Sequence, residues 1–394
     1  MRYTKLVLFI LSAYTTTCAH EIPAVTVVSV ADLLLQRAKI VYPEQKTEES
    51  YLSFSLEGAK ESARSCPRVH QLLFNEQVTI IRQEKDEVLV KVPNIFYEAC
   101  GKRCNTYWAH KKNFVPLKQL KNCSHVPSPI QFKAPYKTQK QTIVTLLFPF
   151  EDKKGKRTFS AGTRFVRAKK EIQNQKFVFV YALDSILKIP RQLCLIEKPG
   201  TQKNKRKQLV SLLRKWANCK NGFIPYVWGG CSFTHPYSNK MIRSSIMVLQ
   251  SGRKVSVFWK NSRKKTATGL DCAGAVMRAA QIFGLPYFFK NSVTALKNLK
   301  KVTSYDKLQD GDLMHISGHL MIVSDKKRNK LIEARSHWHG FGKFHETTLE
   351  NVFRGITNYQ QLCAASKKGT VLQRIDRTGN PVDRPKITFL KLPA

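Results

Sequence analysis

The sequence predicts an α+β protein in which two small β-barrels precede a larger mixed domain. Short runs of alternating apolar and polar residues, separated by turn-forming residues, extend through the first half of the chain. From about residue 200 onward, helical patterns and strand patterns follow one another. The chain has 394 residues, which exceeds one typical core, so two or three domains are expected.

The two barrels are expected at 20–125 and 140–197, because short strands with frequent turns are typical of small barrels. Residues 126–139 contain three prolines and predict a linker. Neither barrel carries residues of obvious catalytic chemistry. The alternating runs lie at 24–30, 76–81 and 87–92 in the first segment, and at 142–147, 161–166 and 176–181 in the second.

The mixed domain is expected at 200–365, followed by a C-terminal tail at 366–394. The stretch 269–284 predicts a helix that begins near Cys272 and ends at Gly284, where glycine can adopt the left-handed cap. An earlier helix is predicted by apolar residues on one face: Leu209, Leu212, Leu213, Trp216 and Ala217. Strands are expected at 225–228, 313–316, 318–323 and 331–335.

Residues 1–19 have the pattern of a secretory signal peptide. Arg2 and Lys5 give a basic start, an apolar run follows, and cleavage is expected after Ala19. The run is too short to span a bilayer, and no later run of 18 apolar residues exists. Cys18 suggests a lipoprotein alternative, which the threonines before it disfavour. We therefore expect an exported protein of the periplasm or cell wall.

The charge concerns partners, not fold. The chain has 67 Lys and Arg against 27 Asp and Glu, a net charge of +40. For an exported protein this favours adsorption to anionic envelope polymers. The basic runs at 203–207, 263–265 and 326–330 lie where solvated loops are expected, and none contains a recognition helix or an aromatic platform. We expect no nucleic-acid partner, no stable membrane insertion, and a monomer.

Ten cysteines limit the redox chemistry. Cys18 would leave with the signal peptide and Cys272 is a candidate nucleophile, so an even number remains, which permits up to four disulfides in an exported protein. Their pairing is open. No Cys and His spacing matches a zinc site, and no metal or cofactor is expected. The remaining eight are Cys66, Cys100, Cys104, Cys123, Cys194, Cys219, Cys231 and Cys363.

Cys272 is the candidate nucleophile. Asp271 occupies the N-cap position, so the thiol lies in the first helical turn near unpaired N–H groups, which favour the thiolate. His319, 47 residues later, begins a strand and is the candidate base. A turn near 325–327 would place Glu333 opposite His319, where a carboxylate can orient the ring. Taken singly, the cysteine and the histidine are better explained as core residues.

Four motifs occur in order along the second half of the chain: Pro225-Tyr226-Val227-Trp228-Gly229-Gly230, Gly269-Leu270-Asp271-Cys272-Ala273-Gly274, Gly311-Asp312-Leu313, and Gly318-His319-Leu320-Met321-Ile322-Val323 with Leu331-Ile332-Glu333-Ala334. As a set they resemble the NlpC family of cell-wall cysteine peptidases, over about residues 200–365. The upstream segments look similar to two bacterial SH3-like domains, through residues 72–78 and the pair Tyr107 and Trp108.

The resemblance implies a papain-like fold and hydrolysis of peptidoglycan stem peptides, usually between D-γ-glutamate and diaminopimelate. It implies that Cys272 is the nucleophile and His319 the general base, and that the backbone N–H of Cys272 meets the oxyanion. It also implies substrate-binding roles. Tyr226 and Trp228 would lie along the cleft, and Asp271 would help to hold the amino end of the peptide beside a group lent by the first barrel.

Three features depart from the family pattern. Ala273 replaces the usual serine after the cysteine, which puts a preference for a free peptide N-terminus in doubt. Glu333 stands where the third polar residue is usually His, Asn or Gln, and His337 or His339 is an alternative for this role. Residues 231–268 form a long insertion.

These departures keep two further functions open. One is a catalytically inactive protein that binds the cell wall. The other is an amidase or acyltransferase on the same scaffold, because Cys–His chemistry serves all of these reactions.

Overall fold

The structure is a computed structural model of the chain. It describes residues 21–52, 67–93, 95–99, 101–130, 141–168, 176–197, 204–220, 222–234, 243–248, 254–259, 268–336 and 341–393. Several residues named above lie outside these ranges: the expected signal peptide at 1–19, Cys66, Cys100, His337 and His339.

The first unit, residues 21–130, is rich in strands. Its elements are β1 (Ile22–Thr26), β2 (Val30–Leu34), α1 (Ala38–Val41), α2 (Thr47–Leu52), β3 (Arg68–Leu73), β4 (Gln77–Glu84), β5 (Glu87–Lys91), β6 (Tyr97–Ala99), β7 (Lys102–Cys104), β8 (Thr106–His110) and β9 (Phe114–Pro116). Seven strands form one antiparallel sheet in the order β3-β2-β8-β5-β4-β1-β9, and β6 pairs with β7. The expected run at 24–30 is two strands, because the chain turns at 27–29 and changes its pairing partners.

The second unit contains β10 (Ile143–Leu146), β11 (Phe150–Asp152), β12 (Arg157–Phe159), β13 (Arg164–Arg167), β14 (Phe177–Ala182), β15 (Ser185–Pro190) and β16 (Cys194–Glu197). Five of these strands form a sheet in the order β15-β14-β13-β10-β16, and β11 pairs with β12. Its core includes Phe159 and Phe165, and Phe74 of the first unit packs into the same cluster. The SH3-like character of both units stays a prediction.

The third unit mixes helices and strands. Its elements are α3 (Lys205–Ala217), β17 (Ile224–Pro225), β18 (Cys231–Ser232), β19 (Arg243–Val248), β20 (Lys254–Trp259), β21 (Gly269–Leu270), α4 (Cys272–Ile282), α5 (Ser292–Asn298), β22 (Leu313–Ile316), β23 (His319–Asp325), β24 (Lys330–Arg335), β25 (Lys343–Thr348), α6 (Tyr359–Lys368), β26 (Arg374–Ile375), β27 (Pro381–Asp383) and β28 (Thr388–Leu390). Six strands form an antiparallel sheet in the order β17-β25-β24-β23-β22-β28. The α+β class is therefore confirmed.

Both faces of this sheet are covered. Apolar residues of α3 and α4 pack against one face in a cluster with Leu320 and Ile332. Residues of α6 pack against the other face with Met321 and Leu331. Residues 366–394, expected as a tail, return to the sheet through β28, which pairs with β22. The long stretch at 231–268 includes a hairpin of β19 and β20.

A buried arginine on α4 joins the three units. Arg278 forms a 2.6 Å ion pair with Glu76 of the first unit and donates to the carbonyl of Cys231. Gly162 of the second unit lies against its side chain, where a Cβ atom would overlap Arg278. The interface between the units is therefore close-packed and partly ionic at this point.

The cysteines differ from expectation. Each of the seven that are described is a free thiol, so the structure shows no disulfide among them. None of the described helices is long and apolar enough to cross a membrane.

Candidate active site

The helix that carries the candidate nucleophile begins where the sequence predicts. Asp271 is the N-cap of α4, and its Oδ1 accepts a 2.5 Å hydrogen bond from the backbone N–H of Gly274. Cys272 is the first residue of the helix. A Cβ atom on Gly274 would overlap the carbonyl oxygen of Gly230, so only glycine lets the helix start lie this close to the preceding strand.

The paired glycines of the aromatic strand serve the same packing. The backbone of Gly230 lies directly on that of Gly269, and Gly229, with φ at +69°, lies on the carbonyl of Arg68 in the first unit. These glycines therefore permit close approach of backbone to backbone. No ligand is needed to explain them.

The thiol of Cys272 lies against the start of strand β23. The backbone N–H of Leu320 lies close enough to the sulfur to favour its charged form, so the sulfur is near the peptide bond that joins His319 to Leu320. Cys272 is half-buried and free. The contacts described for it include no hydrogen bond to the His319 ring.

The charge state of Cys272 differs from the sequence prediction. Burial, together with the nearby Asp271 carboxylate, raises the pKa of the Cys272 thiol to about 12. The N–H groups of Leu320 and Ala273 and the Lys290 ammonium act in the opposite direction, and they do not offset burial. The expectation of a favoured thiolate is therefore wrong for the resting site, because the cost of desolvation exceeds the helix-terminus effect.

His319 and Glu333 are in direct contact. His319 Nε2 and Glu333 Oε2 are 2.8 Å apart. The sequence predicted that Glu333 lies opposite His319. In the sheet Glu333 instead pairs with Met321, two residues further along β23. Its carboxylate therefore reaches His319 diagonally on the same face. Because Nε2 is occupied, Nδ1 is the ring nitrogen left for proton exchange with a substrate or nucleophile.

Glu333 is held as a buried anion. Burial opposes its charge, but Arg335, His319 and His345 together lower the pKa of Glu333 below its ordinary value. Arg335 Nη1 and His345 Nε2 each lie 3.6 Å from Glu333 Oε1. Arg335 in turn donates to the carbonyl of Ile375 in β26, which ties this cluster to the C-terminal segment.

The imidazole of His319 is correspondingly neutral at rest. Burial lowers the pKa of His319, although Glu333 acts to raise it. Both the Cys272 thiol and the His319 imidazole are therefore neutral at rest, which is the starting state that general-base activation of a sulfur requires.

Asp271 is already fully engaged. Its Oδ2 forms a 2.5 Å ion pair with Nζ of Lys290, a residue only 2% exposed. The main chain of Lys290 is fixed by the first unit, because its N–H donates to the carbonyl of Phe96 over 2.9 Å. Phe96 also forms a bridge with Phe289. The first unit thus contributes to the site by positioning Lys290.

The two aromatic residues expected along the cleft occupy different surroundings. Tyr226 is buried, and its N–H donates to Gly342 near the start of β25. Trp228 is half-buried and packs against a first-unit cluster that includes Tyr51 and Trp108. The structure therefore places Trp228 at the boundary between the first and third units.

Comparison with solved structures finds an NlpC/P60 family protein from Bacillus cereus ATCC 10987. The match has a TM-score of 0.54 and 14% sequence identity, and it covers 83% of this chain and 94% of the other. The fold is that of an NlpC/P60 protein. NlpC2 and NlpC1 from Trichomonas vaginalis also match, at 8% and 11% identity, with 95% and 86% of this chain and 99% and 92% of theirs covered. Their TM-scores of 0.34 and 0.30 are too low to bear on the fold.

No protein-family model matches the sequence, and no curated protein matches it. The NlpC/P60 fold of this chain is therefore visible in its architecture and not in overall sequence similarity.

Within this NlpC/P60 fold, sequence reasoning missed three residues of the site. Arg335 lies two positions after Glu333, and the alternation of the strand could have placed both on one face. His345 pairs with Glu333 across the strands, but no local signal marks it. Lys290 carries no sequence signal, because its role depends on a contact with a residue almost two hundred positions away.

Proposed function

We propose that this protein is an exported cysteine peptidase that hydrolyses peptidoglycan stem peptides. One arrangement carries the proposal: the Cys272 thiol lies beside the His319–Leu320 peptide bond, and His319 is held by Glu333, in an NlpC/P60 fold. The bond cleaved is the one between D-γ-glutamate and diaminopimelate, as the resemblance of the motifs implies. The third unit is papain-like, and the two upstream units are SH3-like.

The mechanism begins from the neutral pair. As the Cys272 sulfur attacks the scissile carbonyl, Nδ1 of His319 takes the thiol proton. The buried Glu333 carboxylate stabilises the imidazolium that forms. The imidazolium then gives its proton to the leaving amine, which departs and leaves a thioester on Cys272. Water, deprotonated by the neutral imidazole, hydrolyses the thioester and regenerates the thiol.

The oxyanion of each tetrahedral intermediate is stabilised by the helix start. The first backbone N–H groups of α4 have no acceptor within the helix. The N–H of Cys272 is the donor nearest the reacting carbon. One such donor contributes about 3 kcal/mol to transition-state stability in comparable enzymes.

The partners follow from the charge and the predicted export. Stem peptides or muropeptides are the substrates, and anionic polymers of the envelope attract the protein, whose net charge is +40. The protein acts as a monomer in the periplasm or cell wall, without a nucleic-acid partner and without a metal or cofactor.

The test is digestion of a defined muropeptide mixture, with the products identified by mass. Wild-type protein should release fragments cut within the stem peptide, and Cys272→Ser should release none. Cys219→Ser is a matched control, because Cys219 is also half-buried and free. Full activity in Cys272→Ser would refute the proposal. Products cut between the sugar and the peptide would identify an amidase.

A second candidate is an inactive protein that binds the cell wall. The raised thiol pKa and the alanine at position 273 favour it. It predicts that wild-type protein and Cys272→Ser bind cell-wall sacculi equally and that neither releases products.

A further inference from the structure

A large basic groove lies on the third unit, away from the candidate active site. Its volume is about 1130 Å³, and it runs between helix α3 and two adjacent turns, one that precedes β22 and one that follows β23. It is lined by Asn204, Arg206, Lys207, Val210, Ser211, Arg214, Lys215, Asn218, Gln309, Asp310, Ser324, Asp325, Lys326 and Lys327. Six of these residues are basic and two are acidic.

The walls of the groove carry cations that have no hydrogen-bond or ion-pair partner among the described residues. Lys207 and Lys215 lie on exposed positions of α3, and Lys327 is exposed in the turn opposite. The hydrogen bonds and ion pairs described for the chain include none to these three ammonium groups. They are therefore available to an external anion.

The other basic residues are held in place. Arg206 forms a 2.5 Å ion pair with the fully buried Asp312, and Arg214 lies 3.0 Å from Glu346. Lys326 donates to the carbonyl of Tyr305 over 2.8 Å. The groove therefore combines basic residues that are fixed by protein contacts with three exposed lysines that have no described partner.

We propose that this groove binds a linear phosphodiester polymer that carries no bases. Protein contacts to phosphate oxygens come from Lys and Arg together with hydroxyl and amide side chains, and Ser211, Asn204 and Gln309 lie among the cations of this groove. A polymer of this kind carries one negative charge for each backbone phosphate, as nucleic acids do.

The lining disfavours single-stranded nucleic acid. Such ligands are bound by stacking their bases on aromatic side chains. None of the described residues that line the groove is aromatic, and Val210 is its one apolar side chain. The backbone of a polymer can bind here, but bases would find no stacking surface.

The groove is distant from the reacting groups. His319 begins β23 and Asp325 ends it, so the groove lies about 20 Å along the strand from the imidazole. A bound polymer would leave the cleft open. It would hold the protein close to other envelope components and raise their effective concentration at the cleft. This binding role is independent of whether the site cleaves peptides.

The experiment measures binding of fluorescently labelled poly(glycerol phosphate) of defined length to the full chain by anisotropy. The groove variant is Lys207→Glu/Lys215→Glu/Lys327→Glu. The matched control is Lys39→Glu/Lys118→Glu/Lys153→Glu, which replaces three exposed lysines outside the groove. It changes the net charge by the same amount as the groove variant. Circular dichroism verifies that both variants are folded.

The groove variant should bind about tenfold or more weakly than wild type, and its slope of log affinity against log salt should fall by about 2. The control variant should lose much less affinity. Equal losses in the two variants would show that net charge alone explains binding, which overturns the proposal. The groove variant could also lose more affinity for oligo-dT or for polyglutamate than for poly(glycerol phosphate). That result would assign the groove to nucleic acid or to a carboxylate polymer, and it would also overturn the proposal.

Discussion

His319 and Glu333 are joined by a 2.8 Å contact between Nε2 and Oε2, and the carboxylate is fully buried. This contact fixes which ring nitrogen remains for the thiol. It also places a negative charge in direct hydrogen-bond contact with the imidazolium that forms during attack. Six predictions concern this contact and the site around it.

Replacing Glu333 with glutamine should impair catalysis more than substrate binding. Glutamine can still accept a hydrogen bond, but it cannot stabilise the imidazolium and it can hold the wrong tautomer. We expect kcat to fall on the order of 10²- to 10⁴-fold with KM little changed. Steady-state kinetics on a soluble muropeptide would measure this, with His345→Gln as a control that leaves the carboxylate in place. An unchanged kcat would remove Glu333 from the mechanism.

The same residue should affect stability at low pH. The folded-state pKa of Glu333 lies below its ordinary value of 4.5. Its charge therefore stabilises the fold fully above pH 4.5, and this contribution is lost as the pH falls toward the folded-state pKa. Between pH 6 and pH 3, thermal unfolding of wild type should shift downward more than that of Glu333→Gln. Parallel shifts in the two proteins would contradict the assignment.

The alkylation rate of Cys272 should depend on pH as expected for a thiol that is neutral at rest. Because its pKa is raised to about 12, alkylation by iodoacetamide should be slow at neutral pH and should increase steadily above pH 8, with no plateau at acidic pH. A plateau between pH 4 and pH 8 would instead indicate a preformed thiolate–imidazolium pair.

The acidic limb of the pH profile of peptidase activity should lie below pH 6.5. Burial lowers the pKa of His319, so the base stays neutral to a lower pH than an exposed histidine. The positive charges of Arg374 and Arg335 add to this effect. A limb above pH 7 in the pH profile of kcat/KM would exclude His319 as the base in this environment.

Lys290→Met should destabilise the protein by about 3–5 kcal/mol, because it leaves the Asp271 carboxylate buried without its partner. The double variant Lys290→Met/Asp271→Asn should recover most of this loss, since asparagine also serves as an N-cap and carries no charge. Urea unfolding of the four proteins in this cycle gives the coupling energy. No recovery in the double variant would mean that Lys290 acts through packing alone.

Gly274→Ala should be destabilising, although alanine is the better helix former by about 1 kcal/mol. The added Cβ would overlap the carbonyl oxygen of Gly230, so the helix start must shift at a cost of about 1–3 kcal/mol. The shift should also change the alkylation rate of Cys272. Gly369→Ala is the control: it should also destabilise, because this residue caps α6 with φ at +65°, but it should leave the alkylation rate of Cys272 unchanged. Improved stability in Gly274→Ala would refute the packing argument.

The parts of the site that local sequence predicts are those that depend on local physics. Asp271 marks the helix start because an N-cap acts within four residues, and alternation places Glu333 on the face of His319. Lys290 could not be predicted, since its position depends on Phe96, far away along the chain. The raised pKa of Cys272 also could not be predicted, because burial follows from the packing of the whole unit.

The α+β class and the helices α3 and α4 were predictable for a similar reason. Helices α3 and α4 have strong apolar periodicity, and each ends at a recognisable signal. The division of 24–30 into two strands was not predictable, because it depends on which distant strands pair with each half. Residues 388–390 lie in a run, 387–392, whose partial alternation permits a strand, but their pairing with β22 depends on a partner far away along the chain.

Arg278 has an evolutionary consequence. Its guanidinium requires an acid at position 76, and its side chain leaves room at position 162 only for glycine. A recombination event that exchanged the first unit would have to bring the acid with it, and one that exchanged the second unit would have to bring the glycine. The three units of this chain are therefore expected to have diverged together as a single heritable block.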